Sequence, residues 1–250
     1  MKVLSLFSGG GLGDFGLELA GMEICGQVEN DDYCQKILKL RWPDVPKWTD
    51  IKNVTGKEII EKIGTIDFIS GGFPCQDISG LGSKLGFKGK HSSLWFEFLR
   101  IIQEISPPYI LIENVARLKR HGLGTILNEL FKSGYDAEWR MLRASEFGHA
   151  HERKRLFILA YSTGFSRLQT SEGIMSARKI RKTWTHSCRL PGTTLSSSDW
   201  AVYEPYFDRI INGTPNRVER CKLLGNGQVI QVVEWIGKKI MEFDKLNREK

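Results

Sequence analysis

Four short groups of residues carry side chains whose types and spacing suit chemistry. The first is Phe7-Ser8-Gly9-Gly10-Gly11-Leu12-Gly13. Glycines that follow a strand let backbone N–H groups approach a ligand at a helix start. Gly11-Leu12-Gly13-Asp14-Phe15-Gly16 also has the spacing of a dinucleotide-binding turn. Glu29, 18 residues past Gly11, stands near where an acceptor for a ribose hydroxyl is expected. Glycine-rich turns also serve tight packing alone. Turn and acid together point to an adenosine-bearing cofactor without choosing one.

The second group is Gly71-Gly72-Phe73-Pro74-Cys75-Gln76. A lone cysteine is more often a small buried hydrophobe than a nucleophile. Cys75, however, sits where an apolar run meets a loop, behind Pro74. The following stretch, 76–91, is polar and dotted with Gly80, Gly82, Gly86 and Gly89, a composition suited to closing over a substrate. The third group is Glu113-Asn114-Val115, behind a strongly apolar run. A glutamate there can cap a helix or serve structure. If partly buried it can also share or donate a proton, because burial raises its pKa. The fourth is Arg153-Lys154-Arg155, where strand alternation puts the two arginines on one face and Lys154 on the other. Such a pair is either an edge-strand charge device or a pair of forks for a phosphate or a base carbonyl.

Alternating strands and helices can bring these groups together. Residues 3–7, 24–28, 66–70, 109–112 and 156–161 read as apolar strands. Residues 15–20, 33–40, 55–63, 94–105 and 126–131 have helical spacing. Alternation of this kind predicts a parallel-type α/β sheet covered on both faces, with ligands beyond the carboxyl ends of the strands. Phe7, Glu29, Cys75 and Glu113 all fall at such ends. Past Tyr161 the texture becomes rich in Ser, Thr, Arg and Lys until Gly225-Asn226-Gly227, where a helical run begins at Val229. Three parts are expected: a catalytic and cofactor-binding domain over 1–161, a small domain over 162–222, and a helix over 223–250 that returns to the first.

Composition narrows the class. The chain has 250 residues, 36 Lys+Arg against 29 Asp+Glu, and 41% apolar residues, which excludes disordered and collagen-like chains. Charge is balanced over 1–125, and the whole excess of +7 lies in 126–250, which favours a polyanionic partner for that half. Cys25, Cys34, Cys75, Cys188 and Cys221 contain no close pair, so neither a disulfide framework nor a zinc ribbon is expected and no metal is called for. No apolar run is long enough to span a membrane, and the first apolar run is too short for a signal peptide. A monomer in a reducing cytoplasm is the expectation.

Taken in order, the motifs resemble those of the DNA cytosine-5 methyltransferases, in the style of small phage or prophage members. Phe7-x-Gly9-x-Gly11, continued by Leu17-Glu18 and Gly21, looks like the family's cofactor loop. Glu29 looks like its ribose-binding acid, and Asp50-Ile51 like its adenine-contacting pair. Gly72-Phe73-Pro74-Cys75-Gln76 resembles the nucleophile motif, and Ser93-Leu94-Trp95 the helix start beneath the cofactor. Glu113-Asn114-Val115, Arg153-x-Arg155 and Gly225-Asn226 resemble the later motifs. The likeness spans roughly 1–161 and 212–240. It departs at His151, where the family often has Gln, at Leu12, where a third glycine is displaced to Gly13, and at Gly227, which replaces a frequent Ser.

The resemblance implies a Rossmann-like S-adenosylmethionine-dependent methyltransferase acting on double-stranded DNA, with S-adenosylhomocysteine as product. A cognate restriction endonuclease is an implied partner in the cell. The implied cofactor site draws on Phe7, Ser8, Gly9, Gly10, Gly11, Leu12, Glu29, Asn30, Asp50, Ile51, Pro74, Leu94, Asn226 and Gly227. The implied catalytic group is Cys75, Gln76, Glu113, Asn114, Arg153 and Arg155. The target cytosine is flipped from the stack, and the Cys75 thiolate attacks C6. Glu113 binds or protonates N3, C5 takes the methyl group, a base removes the C5 proton, and Cys75 is eliminated. Arg153 is the implied support for the thiolate and Arg155 the holder of the base carbonyl. Asn114 is placed behind the Pro74–Cys75 turn.

Arg178, Lys179, Arg181, Lys182, Trp184 and His186 have the composition of a nucleic-acid reader or of a solvated basic loop, and Asn216-Arg217 can touch the backbone. Thr194-Leu195 resembles a dipeptide of the family's recognition domains. Three other readings stay open. An RNA cytosine methyltransferase of the same fold would suit a compact recognition segment. A catalytically silent DNA-binding relative would leave Cys75, Glu113 and the arginines without a role. A nucleotide-dependent oxidoreductase would leave Cys75 unexplained.

Overall fold

A computed structural model describes residues 1–74, 93–149, 152–163, 174–175 and 225–248. In chain order the elements are β1 (Lys2–Leu6), α1 (Leu12–Leu19), β2 (Glu23–Val28), α2 (Asp32–Arg41), β3 (Lys47–Trp48) and α3 (Gly56–Ile63). They continue as β4 (Phe68–Gly71), α4 (Ser93–Ile105), β5 (Tyr109–Val115), α5 (Leu118–His121), α6 (Leu123–Lys132), β6 (Tyr135–Arg143), β7 (Lys154–Ser162) and α7 (Ile230–Arg248).

The strands form one seven-stranded sheet in the order β3-β2-β1-β4-β5-β7-β6. The chain winds outward from β1 to β2 and β3, then restarts on the other side of β1 with β4 and β5. The carboxyl ends of β1 and β4 therefore flank a switch point, where open α/β sheets leave a crevice.

Side-chain alternation supplies both faces. Leu4, Leu6, Ile69, Ile110, Ile112, Leu156 and Ile158 enter one core with Ile59, Trp95, Phe98, Ile102, Ile126 and Leu130. Val3, Phe68, Tyr109, Leu111, Phe157 and Leu159 enter the other with Leu17, Leu38, Val232, Val233, Ile236 and Ile240. A strand buried on both faces must be apolar throughout, which is why these runs lack polar alternation. The helices start on local polar chemistry. The Asp31 side chain accepts from the backbone N–H groups of Tyr33 and Cys34, each at 3.0 Å. Thr55 and Glu58 form a reciprocal capping box on α3.

The sheet is not wholly parallel. β7 runs antiparallel to both β5 and β6. β6 does not stand out in the sequence because it is an edge strand: YDAEWRMLR is only partly buried and carries charges at several positions. The apolar stripe near the C-terminus is core packing, as its period implies. α7 lies on α1 so closely that a Cβ on Gly16 would stand 2.7 Å from the carbonyl of Ile230, and one on Gly237 would stand 2.7 Å from Ala20 Cβ. Most of the expected 162–222 domain, including the basic residues 178–182, Trp184 and His186, lies outside the described residues.

Gly237→Val is expected to lower the unfolding free energy in urea by about 1–3 kcal/mol through overpacking of the α1–α7 contact. Gly124→Ala is expected to be neutral or to raise it by up to about 1 kcal/mol, since a Cβ there meets nothing within 4 Å on exposed α6. Equal effects at both sites would contradict the packing account.

Candidate active site

The glycine turn leaves β1 by a sharp reversal. Phe7, Gly9 and Gly11 all have positive φ, at 54°, 56° and 77°. Gly11 is obligatory for a second reason: a Cβ there would collide with the Trp42 ring. Glu29, at the end of β2, closes the turn. One carboxylate oxygen accepts from the Gly9 N–H at 2.7 Å and the other from the Asp31 N–H at 2.8 Å. Beneath the turn, Asp14 is fully enclosed and accepts from Ser5 Oγ at 2.6 Å and Gln27 Nε2 at 2.7 Å. Burial pushes its carboxyl up to about 6, against the pull of those two hydrogen bonds.

β4 delivers Gly72, Phe73 and Pro74 to the same edge. Phe73 is buried against Trp95, with ring centroids 5.6 Å apart. Its carbonyl accepts from Asn114 Nδ2 at 3.0 Å, while Asn114 Oδ1 takes the Val115 N–H at 2.8 Å. The chain therefore enters Pro74 pinned to the end of β5. Cys75 and Gln76, which follow, lie outside the described residues.

Antiparallel pairing of β5 with β7 sets Val115 opposite Arg155. It brings Arg155 Nε to 3.0 Å from Glu113 Oε1, and Glu113 is only 6% exposed. Burial raises the Glu113 carboxyl to about 7, although Arg155 and then Arg153 oppose the rise. Arg153 reaches further. Its guanidinium donates to the carbonyl of Gly227 at 2.7 Å and also to that of Gly225. Burial and the neighbouring positive charge of Arg155 draw its own pKa down.

These groups line one cavity of about 650 Å³. Of the residues singled out in the sequence, it gathers Phe7, Ser8, Gly9, Glu29, Asn30, Pro74, Leu94, Glu113, Asn114, Arg153, Arg155, Asn226 and Gly227. Gly10, Gly11, Leu12, Asp50 and Ile51 do not line it. Ile51 is in the core, and the Asp50 side chain accepts from the Lys52 N–H at 3.0 Å to start a short 3-10 turn. Sequence reasoning missed Ser5, Asp14 and Gln228, which also line the cavity. Gln228 directly follows Gly225-Asn226-Gly227, so its position was the available signal. The Ser5–Asp14–Gln27 contact joins three elements and leaves no local trace.

An acid and an open-backbone turn at one end, with a buried carboxyl between arginines at the other, suit an adenosine-bearing cofactor beside a reacting base. Among the described residues no cluster of His, Cys, Asp and Glu could hold a metal ion, and no helix is long and apolar enough to cross a membrane.

Comparison with known proteins agrees with this geometry. Residues 1–190 match the family model for C-5 cytosine-specific DNA methylases. The Type II methyltransferase M.Eco47II of Escherichia coli is 37% identical over 164 residues, which cover 63% of this chain and 39% of the relative. M.AquIA of Picosynechococcus is 32% identical over 180 residues, covering 65% of this chain and 73% of the relative. Among solved structures, a DNMT2 variant from Spodoptera frugiperda superposes with a TM-score of 0.56 at 21% identity, covering 66% of this chain and 51% of that one. The Entamoeba histolytica methyltransferase EhMeth gives 0.54 at 20%, covering 66% and 54%. The fold is the Rossmann-like fold of S-adenosylmethionine-dependent methyltransferases. The chain belongs to the C-5 cytosine-specific DNA methylase family. It spans 39% of the length of M.Eco47II and about half of each of these two solved structures.

The raised Glu113 pKa makes a signed prediction. A carboxyl at about 7 in the fold, against 4.5 in an ordinary setting, contributes stability that is full below pH 4.5 and lost as pH rises through 7. At about 1.4 kcal/mol per pK unit, on the order of 3 kcal/mol is at stake. Gln cannot titrate. The stability of the native chain relative to Glu113→Gln, measured in urea, is therefore expected to fall from pH 5 to pH 8. A difference that stays constant across that range would contradict the raised value.

Proposed function

We propose that this chain is a DNA cytosine-5 methyltransferase that works through a covalent adduct between Cys75 and C6 of a flipped cytosine. The observation that carries the reading is the single cavity. It joins the Glu29-closed glycine turn to the Glu113–Arg155 pair, with the Phe73–Pro74 exit of β4 between them. Family membership supports the same reaction.

When bound, S-adenosylmethionine would supply an electrophilic methyl group on its sulfonium. Phe7, Ser8, Gly9, Glu29, Asn30, Leu94, Asn226 and Gly227 would hold it along the β2–β1 side. S-adenosylhomocysteine is the expected product, and no metal is required. Gly10, Gly11 and Leu12 shape the turn, while Asp50 and Ile51, which the family resemblance implies as adenine contacts, stand outside the cavity.

C5 of cytosine is a weak nucleophile, and addition at C6 changes that. The Cys75 thiolate forms a bond to C6, and the C5=C6 electron pair is displaced into the ring toward N3. Glu113, with a pKa near neutrality, donates to N3 and stabilises that charge. Arg155 keeps Glu113 in place and extends toward the base carbonyl. Once C5 carries the methyl group, a base takes the C5 proton. The C5=C6 bond then re-forms and the thiolate leaves. Asn114 fixes the carbonyl before Pro74 and so sets the approach of Cys75. Arg153 braces the 225–227 backbone and adds positive charge that favours the thiolate. Gln76 and the segment after it are assigned to closing on the DNA.

Residues 1–161 would be the catalytic domain, 162–222 the recognition domain and 223–250 the returning helix. Double-stranded DNA is the proposed partner of the positive second half. A companion restriction endonuclease, a cytoplasmic location and a monomeric state complete the proposal.

The test is methyl transfer from labelled S-adenosylmethionine to unmethylated genomic DNA and to total RNA. Label in DNA is expected, with none from Cys75→Ala, which should still bind cofactor. Glu113→Gln is expected to slow transfer by roughly 10²-fold or more. With S-adenosylmethionine present, DNA carrying 5-fluorocytosine should be trapped covalently by the native chain and not by Cys75→Ala. Label in RNA alone would move the assignment to an RNA cytosine methyltransferase. No label in either, with cofactor bound, would leave a silent binding protein.

A further inference from the structure

The Gln228 side chain is folded into the cavity between two glycines. A Cβ on Gly13, at the start of α1, would collide with Gln228 Oε1 and lie 2.9 Å from its Cδ. A Cβ on Gly72, at the end of β4, would lie 3.7 Å from Gln228 Nε2 and 3.0 Å from Glu113 Oε2. The amide oxygen therefore occupies space that the missing side chain of Gly13 leaves free, and its nitrogen stands within ordinary van der Waals range of Gly72. It spans the switch point from the glycine turn toward the catalytic carboxyl.

Gln228 Oε1 is buried and receives no hydrogen bond. An acceptor shut away from water without a donor costs about 1–3 kcal/mol, so such an atom calls for a partner. The carboxylates that line the cavity already face donors or a cation, Asp31 among them through the Tyr33 and Cys34 N–H groups. Asp14 accepts from Ser5 and Gln27, Glu29 from Gly9 and Asp31, and Glu113 faces Arg155. The segment that carries Gln228 is rigidly held. Arg153 binds the carbonyls of Gly225 and Gly227, and His149 Nε2 lies 2.6 Å from Gln231 Oε1.

Sheet order says which part of the ligand lies here. With the ribose at Glu29 beyond β2 and the reacting base at Glu113 beyond β5, the sulfonium must sit between them, over β1 and β4. Its third substituent, the aminocarboxypropyl arm, then has the α1 start and Gln228 as its neighbours. We propose that Gln228 is a cofactor-positioning residue whose side-chain carbonyl accepts a hydrogen bond from the α-ammonium group of S-adenosylmethionine. Gly13 leaves room for that amide. The inference rests on the cofactor reading under Proposed function and adds a named contact to it. The displaced glycine of the first loop gains a purpose: Gly13 makes the place that Gln228 fills.

The test is calorimetric binding of two ligands to the full chain and its variants. S-adenosylhomocysteine carries the amino-acid arm. 5′-Deoxy-5′-methylthioadenosine keeps the adenosine and the thioether but lacks that arm. Gln228→Leu, which keeps the bulk without the acceptor, is expected to weaken S-adenosylhomocysteine about tenfold, equal to about 1.4 kcal/mol. It should leave methylthioadenosine within about twofold, a factor worth only ~0.4 kcal/mol. Gln228→Glu, which keeps an acceptor and adds charge, should bind S-adenosylhomocysteine at least as well as the native chain.

Unchanged S-adenosylhomocysteine affinity in Gln228→Leu would overturn the contact. An equal loss for both ligands would overturn it in favour of a purely structural role. A loss in Gln228→Glu as large as in Gln228→Leu would also overturn it, by assigning the amide to the carboxylate end of the arm. If the native chain binds methylthioadenosine but gains nothing from the arm, Gln228 is wrong and the adenosine site stands. If it binds neither ligand, the cofactor reading itself fails.

Discussion

The antiparallel seam between β5 and β7 is the constraint on which the site depends. It sets a buried glutamate against an arginine 42 residues further along the chain and fixes their separation at 3.0 Å. Desolvation and the arginine act in opposite directions on Glu113, and desolvation is the larger effect. The result is a carboxyl near neutrality inside an apolar sheet, able to hold a proton where an exposed glutamate would not. A parallel neighbour in place of β7 would enter the sheet from the opposite end and could not bring the start of its strand to the same edge. The one break in the sheet's parallel pattern is therefore what completes the catalytic end.

The same strand start organises the cofactor end. Arg153, two residues before Arg155, turns to the 225–227 backbone and secures the beginning of α7. α7 packs along α1, whose own start is the glycine turn. The two ends of the cavity are thus braced by one short stretch at the start of β7. This arrangement gives the paired arginines separate structural duties. Arg155 meets the buried acid at the end of β5, and Arg153 meets the 225–227 backbone before α7.

Under the glycine turn, the enclosed Ser5–Asp14–Gln27 contact fastens β1, α1 and β2 together. A buried carboxyl with two donors is costly to disturb once formed. It resists displacement of the turn that Glu29 closes from the other side. The turn is held from below by Asp14 and from the β2 side by Glu29, while its backbone faces the cavity.

The sequence by itself determined most of the elements and the strand ends that meet at the cavity. Continuous apolar runs can only be strands buried on both faces, and the residues just after those runs can only lie along one edge. Phe7, Glu29 and Glu113 were legible for that reason, while the arginines, which precede their run, reach the same edge only because β7 is antiparallel. The α7 stripe was legible too, because its period matches a helix face. Three features needed the tertiary structure. β6 was hidden because an edge strand needs no apolar continuity. Asp14 was hidden because its partners, Ser5 and Gln27, come from separate strands. The Gln228 amide was hidden because its place is made by what Gly13 lacks, and an absent side chain acquires meaning only when another element is packed against it. Periodicity records which way a residue faces along its own element. The separation between elements follows from packing, and with it the 3.0 Å contact that sets the Glu113 proton.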